Sequence, residues 1–554
     1  MSRQTTAELL VRCLENENVE YIFGLPGEEN MDLLEALTHS SIQFITTRHE
    51  QGAAFMADIY GRLTGKAGVC LSTLGPGATN LMTGVADANL DGAPVVAITG
   101  QVGTNQMHIE SHQYLDLVNM FSPVTKWSTQ IVRPDNTAET VRKAFKIAET
   151  EKPGAVHIDL PENIAAMPVT GKPLKIRAQE KTYASSRCLN RAATIISRAK
   201  NPIVITGNGT IRNRASEALT NFATAMNIPV ANTFMGKGAI PFNHPLALWT
   251  IGVHQSDLIG RALENADLVI AVGYDLIEYS PKKWNPYGKH RLIHIGCCPA
   301  QVDSSYIPEV EVVGDISDSL TEITKRVDRK SKPMPEIAKL REKIRRDYEQ
   351  YATDNSFPLK PQRLIYDLRQ VTDPEDIVIS DVGAHKMWMA RHYHCESPNT
   401  CIISNGFASM GIAVPGAIAA ALVFPEKKVL AVAGDGGFLM NFQEFETALR
   451  VGNPFVTVVF NDNGYGLIKY KQLNKFGKAA FVDLENPDFV RLAKSMGLAG
   501  YRVETAEEFL PILRDAFSQK VPAVVECPVD NRENFRLSQE PALEDGSPPT
   551  GEPG

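Results

Sequence analysis

Apolar residues follow two alternating patterns along the chain. Short runs of consecutive apolar residues are followed by longer stretches in which apolar residues recur every three or four positions. The first pattern is typical of strands buried in a parallel sheet, and the second is typical of amphipathic helices. Runs at 42–47, 69–72 and 94–99 predict strands, and the stretch 52–62 predicts a helix between two of them. The pattern therefore predicts an α/β protein.

Two stretches that lack this alternation divide the chain into three blocks. The first, at 167–186, is charged and contains proline, and the second, at 328–349, is dominated by charged residues. Both compositions are typical of linkers, the second one passing into an exposed helix. Each block should hold a parallel sheet flanked by helices, and a tail rich in proline, glycine and glutamate should be disordered. The predicted boundaries are 1–166, 188–328 and 357–535 for the domains and 538–554 for the tail.

Composition and charge exclude several kinds of partner. The chain has 554 residues and a net charge of −8, and no cluster of lysine and arginine interrupts it, so we expect neither nucleic acid nor a membrane surface as a partner. No stretch approaches the length of a membrane span and no apolar signal core opens the chain, so a cytoplasmic protein is expected. The eight cysteines form no C-x-x-C pair and are predicted to be reduced, with Cys13, Cys70 and Cys401 in the core.

The strongest local signal for chemistry is the segment Gly434-Asp435-Gly436-Gly437. It follows a predicted strand at 428–433 and precedes a helix marked by Phe442, Phe445 and Leu449. Glycines let the backbone approach a diphosphate closely, and the N–H groups at a helix start point toward its negative charge. An aspartate there offers the hard oxygen ligand that Mg²⁺ prefers. Because ligands of open α/β sheets bind at strand ends, the segment predicts a diphosphate and metal site.

A second metal ligand is predicted at the end of the next strand. The strand at 455–460 ends in Asn461-Asp462-Asn463-Gly464, which puts Asp462 27 residues after Asp435. At a spacing of one helix and one strand, two adjacent strand tips can share one cation, and the backbone carbonyl of Gly464 could complete the protein's ligands. Each motif alone is usually only a turn, whereas the pair favours a metal site.

The two motifs together resemble the metal-binding motif of the thiamine diphosphate-dependent enzymes, a Gly-Asp-Gly followed after one helix and one strand by Asn-Asn or Asp-Asn. The resemblance extends over nearly the whole chain. It implies thiamine diphosphate-binding folds at both ends and a Rossmann-like middle domain. It also implies thiamine diphosphate and Mg²⁺ as cofactors, and a homodimer or homotetramer whose active sites form at subunit interfaces.

The first block carries segments that resemble the other half of that site. Glu50, which follows the strand at 42–47, resembles the family's catalytic glutamate. The resemblance implies that its carboxylate binds N1′ of the aminopyrimidine and so promotes deprotonation of the reactive thiazolium carbon. Alone, such a glutamate is more often a solvated charge at a strand end. Two loops resemble the walls of the pyrimidine pocket, with predicted cofactor contacts at Pro26, Gly27, Thr73, Gly77 and Asn80.

Further cofactor contacts are implied on the diphosphate side. Met410 lies where the family places the apolar residue that props the two cofactor rings into a V shape, although a lone methionine is more often ordinary core. His385, in the segment 381–388, is a candidate phosphate donor with a structural role as its alternative. The remaining predicted contacts are Gly434, Gly436, Gly437 and Tyr465.

Within the family, the middle block resembles the flavin-free catabolic acetolactate synthases. Residues that look like that subgroup are Tyr274, Glu278, Tyr279, Pro281, Trp284 and Asn285. The Arg-Phe-Asp-Asp segment of flavin-carrying relatives is not found, and Gly207-Asn208-Gly209 is a lone G-x-G that is more typical of a turn. FAD is therefore not expected.

Two departures from that subgroup point to a different substrate. Lys471 stands where those synthases typically have glutamine, and Phe407-Ala408 replaces a polar pair. An unpaired ammonium is costly to bury, whereas a distal substrate carboxylate would pair with it. The chain resembles acetolactate synthase-like proteins that decarboxylate 2-oxoglutarate. The leading prediction is therefore non-oxidative decarboxylation of 2-oxoglutarate to succinic semialdehyde and CO₂, with further polar contacts from His112 and Gln113.

Three alternatives stay open. The first is an acetolactate synthase that joins two pyruvates to 2-acetolactate with release of CO₂, in which case Lys471 only lies on a solvated helix face. The second is a nucleotide-dependent oxidoreductase using the middle block, which would need a complete G-x-G-x-x-G. The third is a non-catalytic scaffold, which would have no use for Glu50, Asp435 and Asp462 together.

Overall fold

Three six-stranded sheets follow one another along the chain in the computed structural model, which describes residues 4–177, 180–253, 258–328, 330–332 and 335–537. Neighbouring strands of each sheet pair in parallel. The predicted α/β class with three parallel sheets is therefore confirmed, while the exact domain boundaries stay predictions. The tail predicted to be disordered, 538–554, lies outside the described residues.

The first sheet has the strand order β2-β1-β3-β4-β6-β5. Its strands are β1 Tyr21–Gly24, β2 Gln43–Thr46, β3 Gly68–Ser72, β4 Val95–Gln101, β5 Trp127–Gln130 and β6 Ala155–Pro161. Its helices are α1 Thr6–Asn16, α2 Met31–Leu37, α3 Glu50–Thr64, α4 Pro76–Asp91, α5 Leu117–Phe121, α6 Thr137–Glu149 and α7 Glu162–Ala165.

The middle sheet has the order β12-β11-β10-β7-β8-β9. Its strands are β7 Pro202–Thr206, β8 Val230–Asn232, β9 Ala247–Thr250, β10 Leu268–Val272, β11 Arg291–Gly296 and β12 Val310–Val313. The helices of this part are α8 Ser186–Arg198, α9 Asn208–Arg212, α10 Ser216–Met226, α11 Leu258–Glu264, α12 Pro281–Trp284, α13 Ile316–Arg326 and α14 Pro335–Glu349.

The last sheet has the order β14-β13-β15-β16-β18-β17. Its strands are β13 Ile377–Ser380, β14 Cys401–Ile403, β15 Val429–Gly434, β16 Val456–Asn461, β17 Ala499–Arg502 and β18 Ala523–Pro528. Its helices are α15 Pro361–Val371, α16 Ala384–His392, α17 Ala413–Val423, α18 Asp435–Phe438, α19 Phe445–Val451, α20 Gly466–Phe476, α21 Phe489–Ser495 and α22 Ala506–Ser518.

The first and last sheets have the same topology. In each, the first strand lies between the second and the third, so the chain leaves the first strand in one direction and returns on its other side. Open α/β sheets bind ligands where the strand order reverses in this way. The topology therefore marks two equivalent places, the ends of β1 and β3 in the first sheet and the ends of β13 and β15 in the last.

The first and last sheets also share a hydrophobic core, built on α3, α4 and α17. The helices approach closely because small residues face one another. A Cβ atom on Gly84 would lie 2.5 Å from Cβ of Ala54, and one on Gly416 would lie 2.8 Å from Cγ1 of Ile59. Packing at this density holds the two sheets in a fixed relation.

Two smaller predictions can be compared with the structure. All eight cysteines are free, and Cys13, Cys70 and Cys401 are buried, as predicted. The helix predicted after the glycine-rich segment is broken into α18, a 3₁₀ turn at Phe442–Glu444 and α19, and it begins at Asp435 itself. None of the helices in the described part of the chain is long and apolar enough to span a bilayer.

Candidate active site

A cavity of about 140 Å³ lies at the reversal point of the last sheet. It is bounded by the turn after β13, the turn after β15 and the start of α20, because the carboxyl ends of adjacent parallel strands meet at one sheet edge. The residues predicted for the diphosphate side that line this cavity are His385, Met410, Gly434, Asp435, Gly436, Gly437, Asp462, Gly464 and Tyr465.

The two predicted metal ligands come from neighbouring strand tips. Gly434 at the end of β15 pairs with Phe460 in β16, which puts Asp435 and Asp462 side by side. Asp435 is 1% exposed, and its Oδ2 accepts hydrogen bonds from Gly464 N at 3.0 Å and Asn486 Nδ2 at 2.6 Å. Burial, followed by the negative charge of Asp435, raises the pKa of Asp462 to about 7. The two carboxylates repel each other, and a cation bound between them would stabilise their charged forms.

The donor set fits Mg²⁺ rather than a metal held by side chains alone. No group of three or more His, Cys, Asp or Glu side chains suited to a metal occurs among the residues that the structure describes. Mg²⁺ commonly takes one or two carboxylates and completes its shell with phosphate oxygens, water or carbonyl groups. Asp435 and Asp462, with the nearby backbone of Gly464, match that pattern.

The glycines of this segment leave room that a side chain would fill. A Cβ atom on Gly434 would lie 3.0 Å from His385 Nδ1, and one on Gly436 would lie 2.9 Å from Cε1 of Tyr465. His385 is buried and its Nε2 has no hydrogen-bond partner within the described ranges. Burial lowers the pKa of His385 to about 3, so the imidazole is neutral. A buried, unpaired ring nitrogen beside a glycine-lined cavity fits a bound diphosphate, which would supply the missing partner.

The pyrimidine-side residues gather at the equivalent reversal point of the first sheet. Glu50 begins α3, is 8% exposed, and its Oε2 accepts a hydrogen bond from Asn80 Nδ2 at 2.9 Å. A Cβ atom on Gly77 would lie 2.9 Å from Cγ2 of Thr73 and 3.4 Å from Oε1 of Glu50. A Cβ atom on Gly27 would lie 2.4 Å from Cβ of Thr73, and Pro26 beside Gly27 is exposed. The structure thus brings together all five predicted pocket residues and the predicted catalytic carboxylate.

The long loop after β4 approaches this group only in part. A Cβ atom on Gly75 would lie 2.9 Å from both Cβ and the carbonyl oxygen of Gln113, so Gln113 lies against the Thr73–Gly77 turn. The side chains of His112 and Gln113 are exposed. Their predicted contacts with substrate stay predictions.

Lys471 lies on α20. It is exposed and has no ion-pair partner among the described residues, unlike Lys469, whose Nζ binds Asp483 at 2.8 Å. The buried Lys386 donates hydrogen bonds to Ser404 O and to Oδ1 of Asn405, both at 3.1 Å. Burial is the main cause that lowers the pKa of Lys386 to about 8, and the positive charge of Lys471 contributes. Lys471 is therefore an unpaired cation on the surface of a single chain. Because its side chain is exposed, the free-energy cost of burying an unpaired ammonium does not apply to one chain alone.

The predicted catalytic carboxylate lies outside the cavity around Asp435. Among the described residues, the walls of the cavity around Asp435 come only from 361–534, and Glu50 is not one of them. If an active site forms between two subunits, one subunit contributes the residues of the first sheet and the other contributes those of the last sheet, so each chain must carry both sets.

Sequence reasoning missed two residues of the diphosphate half-site. Asn486 holds the carboxylate of Asp435 and also donates to Asn461 Oδ1 at 3.1 Å. Lys386 anchors the loop after β14. Lys386 lies in the segment 381–388 beside His385, but no spacing along the chain links it to its partners after β14. Asn486 lies in an ordinary loop and reaches the site only because residues 482–484 pair with 463–465.

The turn after β7 in the middle sheet is occupied by a side chain of the protein itself. Both carboxylate oxygens of Glu278 accept from Asn208 N, at 3.0 and 3.1 Å, and Oε2 also accepts from Oγ1 of Thr233. A Cβ atom on Gly207 would lie 2.7 Å from Oε1 of Glu278. The space beside the turn Gly207-Asn208-Gly209 is therefore occupied by the carboxyl group of Glu278.

Glu278 leads to a pH-dependent prediction. Burial raises the pKa of its carboxyl from 4.5 to about 7. A carboxyl whose pKa is raised in the folded state stabilises that state while it is protonated, and this contribution is lost as the pH rises from about 4.5 to about 7. The loss amounts to about 1.4 kcal/mol for each pH unit. In calorimetric scans, the Tm of Glu278→Gln should gain on that of the wild type across this window and level off above it; a Tm difference independent of pH would contradict the prediction.

Comparisons with known proteins show the family to which the chain belongs. Family profiles of the thiamine pyrophosphate enzymes match three parts of the chain: the N-terminal TPP binding domain at residues 4–120, the central domain at 189–323 and the C-terminal TPP binding domain at 381–527. Thiamine pyrophosphate is another name for thiamine diphosphate. The matches cover both half-sites and the middle sheet.

Curated relatives align over almost the full length of the chain. An acetolactate synthase of Bacillus subtilis is 35% identical over 547 residues, which cover 96% of this chain and 95% of the relative. A catabolic acetolactate synthase of Raoultella terrigena is 37% identical over 534 residues, 95% of each chain. A probable acetolactate synthase large subunit of Methanocaldococcus jannaschii is 36% identical and covers 95% of this chain and 92% of its own length. The resemblance seen in the sequence is thus confirmed, and the chain belongs to the thiamine pyrophosphate enzymes.

Proposed function

We propose that the protein catalyses the thiamine diphosphate- and Mg²⁺-dependent, non-oxidative decarboxylation of a 2-oxo acid, with 2-oxoglutarate as the leading substrate and succinic semialdehyde and CO₂ as products. The observation that carries the cofactor part is the cavity wall on which Asp435 and Asp462 lie beside the unpaired imidazole of His385. The unpaired cation Lys471 supports the choice of substrate.

The residues of the last sheet would hold the cofactor's charged end. Asp435, Asp462 and the carbonyl of Gly464 would bind Mg²⁺, and the glycines after β15 would admit the diphosphate to the backbone. His385 would donate to a phosphate oxygen, and Met410 would support the rings from the cavity wall. When bound, thiamine diphosphate supplies an electron sink for the pair of electrons left by departing CO₂.

Glu50 would act at the other end of the cofactor. Its carboxylate is buried and fixed by Asn80, so it is held ready to accept a hydrogen bond from a protonated pyrimidine nitrogen. A carboxylate in such surroundings favours the protonated form of the ring nitrogen and thereby sets the tautomer of the ring. Asn80 keeps the carboxylate oriented through the reaction.

Two copies of the chain would complete each site. The two half-sites are separate within one chain, and large apolar side chains are exposed beside both of them, at Met31, Ile109, Phe407, Met440, Ile468 and Phe481. Contact between such surfaces would exclude water from the reacting atoms and strengthen electrostatic interactions inside. We therefore propose a homodimer, or a homotetramer built from such dimers.

Acetolactate synthase is the second candidate function. The specific observation that favours it is that the similar proteins are acetolactate synthases, including the catabolic one from Raoultella terrigena. In that case a second pyruvate, rather than a proton, would be added after CO₂ has left. The test is to supply purified protein with thiamine diphosphate and Mg²⁺ and to compare CO₂ release and products from pyruvate and 2-oxoglutarate. A strong preference for pyruvate with formation of acetolactate would replace the leading substrate.

A nucleotide-dependent oxidoreductase is not favoured. Glu278 fills the turn where a dinucleotide would approach the backbone of Gly207 and Asn208, so its carboxyl oxygens already occupy the N–H group that a phosphate would need. We propose that the protein carries no FAD, so the purified protein should lack the visible absorbance of a flavin.

Lys471→Gln tests the substrate assignment. We expect kcat/KM for 2-oxoglutarate to fall about tenfold, since a charge-assisted hydrogen bond would be lost, while kcat/KM for pyruvate stays within about twofold. Lys469→Gln is the matched control, because Lys469 lies on the same helix and is already paired with Asp483. Equal selectivity in the wild type and Lys471→Gln would remove the basis for 2-oxoglutarate.

A further inference from the structure

Two aspartates of α4 accept hydrogen bonds from the backbone of the loop that follows β14. Asp91 Oδ1 accepts from Gly406 N at 2.5 Å and from Phe407 N at 3.3 Å, and its Oδ2 accepts from Asn405 N at 3.1 Å. Asp87 Oδ1 accepts from Ser409 N at 3.3 Å. We call these two carboxylates and the loop segment 404–409 the aspartate clamp. It joins residues more than 300 positions apart, from the first sheet's helices to the last sheet.

The clamp encloses a strained residue. Ala408 has φ 58°, the left-handed region that costs free energy for a residue with a Cβ atom. Four of the five N–H groups from Asn405 to Ser409, all except that of Ala408, donate hydrogen bonds to the two carboxylates. Ala408 therefore has hydrogen-bonded neighbours on both sides. Such a conformation persists where the surrounding contacts determine it.

The electrostatics of the clamp require these N–H donors. The guanidinium of Arg62 contacts Asp58 at 2.7 Å, Asp87 at 2.9 Å and Asp91 at 2.8 Å, and the side chains of all three aspartates are fully buried. Burial and the neighbouring carboxylates raise the pKa of Asp87 well above its usual value, which favours its protonated form. The remaining buried oxygens of the three carboxyl groups need hydrogen-bond donors. The loop backbone provides them. The approach is so close that a Cβ atom on Gly406 would lie 2.4 Å from Asp91 Oδ1.

A second carboxylate group holds the far side of the same loop. Gly411 N donates to both oxygens of Asp381, at 2.9 and 3.0 Å. Met410 therefore lies between two anchored positions, Ser409 and Gly411, and its side chain forms part of the wall of the cavity around Asp435. The position of Met410 is fixed by backbone hydrogen bonds on each side of it.

We propose that Asp87 and Asp91 are positioning residues, which hold the loop in its left-handed turn and thereby set Met410 against the cofactor and Phe407 toward the substrate. The assignment of those contacts rests on the proposed function, whereas the hold on the loop does not. Neither aspartate would touch the reacting atoms. If the two aspartates only linked the two sheets, the effect of replacing them would not depend on the conformation of Ala408.

Asp91→Asn is the first variant for the test. An amide presents an NH₂ group where one carboxylate oxygen stood, so either Arg62 or the loop loses its acceptor. In the protein without cofactor, we expect hydrogen exchange of the peptide spanning 401–412 to become at least about tenfold faster. In the loaded enzyme, kcat should fall about tenfold with a smaller change in KM for the 2-oxo acid.

Ala408→Gly is the rescue variant. Glycine adopts a positive φ without the Cβ penalty, so the loop should keep its turn with fewer hydrogen bonds. Added to Asp91→Asn, it should recover most of the lost kcat and slow the exchange of 401–412 again. If Asp91→Asn does not fold, Gly406→Ala replaces it, because the added methyl group pushes the loop from Asp91 without changing any charge.

Asp367→Asn is the matched control. Asp367 is buried and pairs with Arg363 at 2.9 Å four residues away, as Asp58 does with Arg62, yet it contacts no part of the loop. It should lower Tm without changing exchange at 401–412. Unchanged exchange in Asp91→Asn, no recovery on adding Ala408→Gly, or the same loop effect from Asp367→Asn would each overturn the proposal. Failure of the wild type to decarboxylate any 2-oxo acid would instead overturn the proposed function and leave the exchange result to be judged separately.

Discussion

Glutamine in place of Glu50 is expected to lower the rate of 2-oxo acid decarboxylation by about three orders of magnitude, within the range of general acid–base effects. Glu50 is buried and contacts Asn80, and glutamine preserves the size of the side chain and one acceptor oxygen. It removes the negative charge that would stabilise a protonated pyrimidine nitrogen. Initial rates of CO₂ release, measured at saturating cofactor and Mg²⁺, give the effect directly.

The control for this prediction is the same substitution at the opposite edge of the same sheet. Glu149 accepts a hydrogen bond from Ala67 N, just before β3, whereas Glu50 lies beyond the other end of the strands. Glu149→Gln should leave the rate within about twofold, as surface changes usually do. Far-UV circular dichroism should not distinguish either variant from the wild type. Near-normal turnover by Glu50→Gln would exclude the catalytic role, whatever the cofactor content.

Asparagine in place of Asp435 is expected to weaken the binding of Mg²⁺ together with thiamine diphosphate by about 100-fold or more. One oxygen of Asp435 is already held by Gly464 N and Asn486 Nδ2, which are both donors. The amide oxygen of asparagine would turn toward these donors, and the NH₂ group would then point at the cation. Titration calorimetry of Mg²⁺ into protein with excess cofactor measures the change, and high Mg²⁺ should restore part of the activity.

Asp483 offers the comparison for this variant. It lies close in the chain to Asn486 but is exposed and pairs with Lys469. Asp483→Asn should therefore leave Mg²⁺ affinity unchanged. Equal affinities of Asp435→Asn and the wild type would mean that the cation, if one binds, is held elsewhere.

The site residues that could be predicted from the sequence are those that follow the ends of strands. The apolar runs before Glu50, Asp435 and Asp462 predict strands, and the carboxyl ends of parallel strands lie at one edge of the sheet. The structure places all three at such edges. Their assigned roles stay predictions, because position at a sheet edge does not by itself test chemistry.

Contacts between distant parts of the chain could not be predicted in this way. Asn486, Asp87 and Asp91 meet their partners through tertiary packing, and no local spacing links them to the motifs. Lys386 lies in the segment 381–388, but its partners after β14 likewise become neighbours only in the folded chain. The burial assumed for Lys471 illustrates the same limit, since the side chain is exposed in one chain. A second subunit would decide its surroundings, and a single sequence does not describe that surface.

The aspartate clamp separates the backbone shape of the loop 404–409 from the identity of its side chains. Both carboxylates bind backbone N–H groups, so Phe407, which is 43% exposed, can be exchanged without removing any of the bonds that hold it. A library of substitutions at this position should therefore vary the chemistry offered to the substrate on an unchanged framework. Directed evolution of the enzyme toward other 2-oxo acids has a natural starting point there, and the same arrangement would let related proteins diverge in specificity while keeping one scaffold.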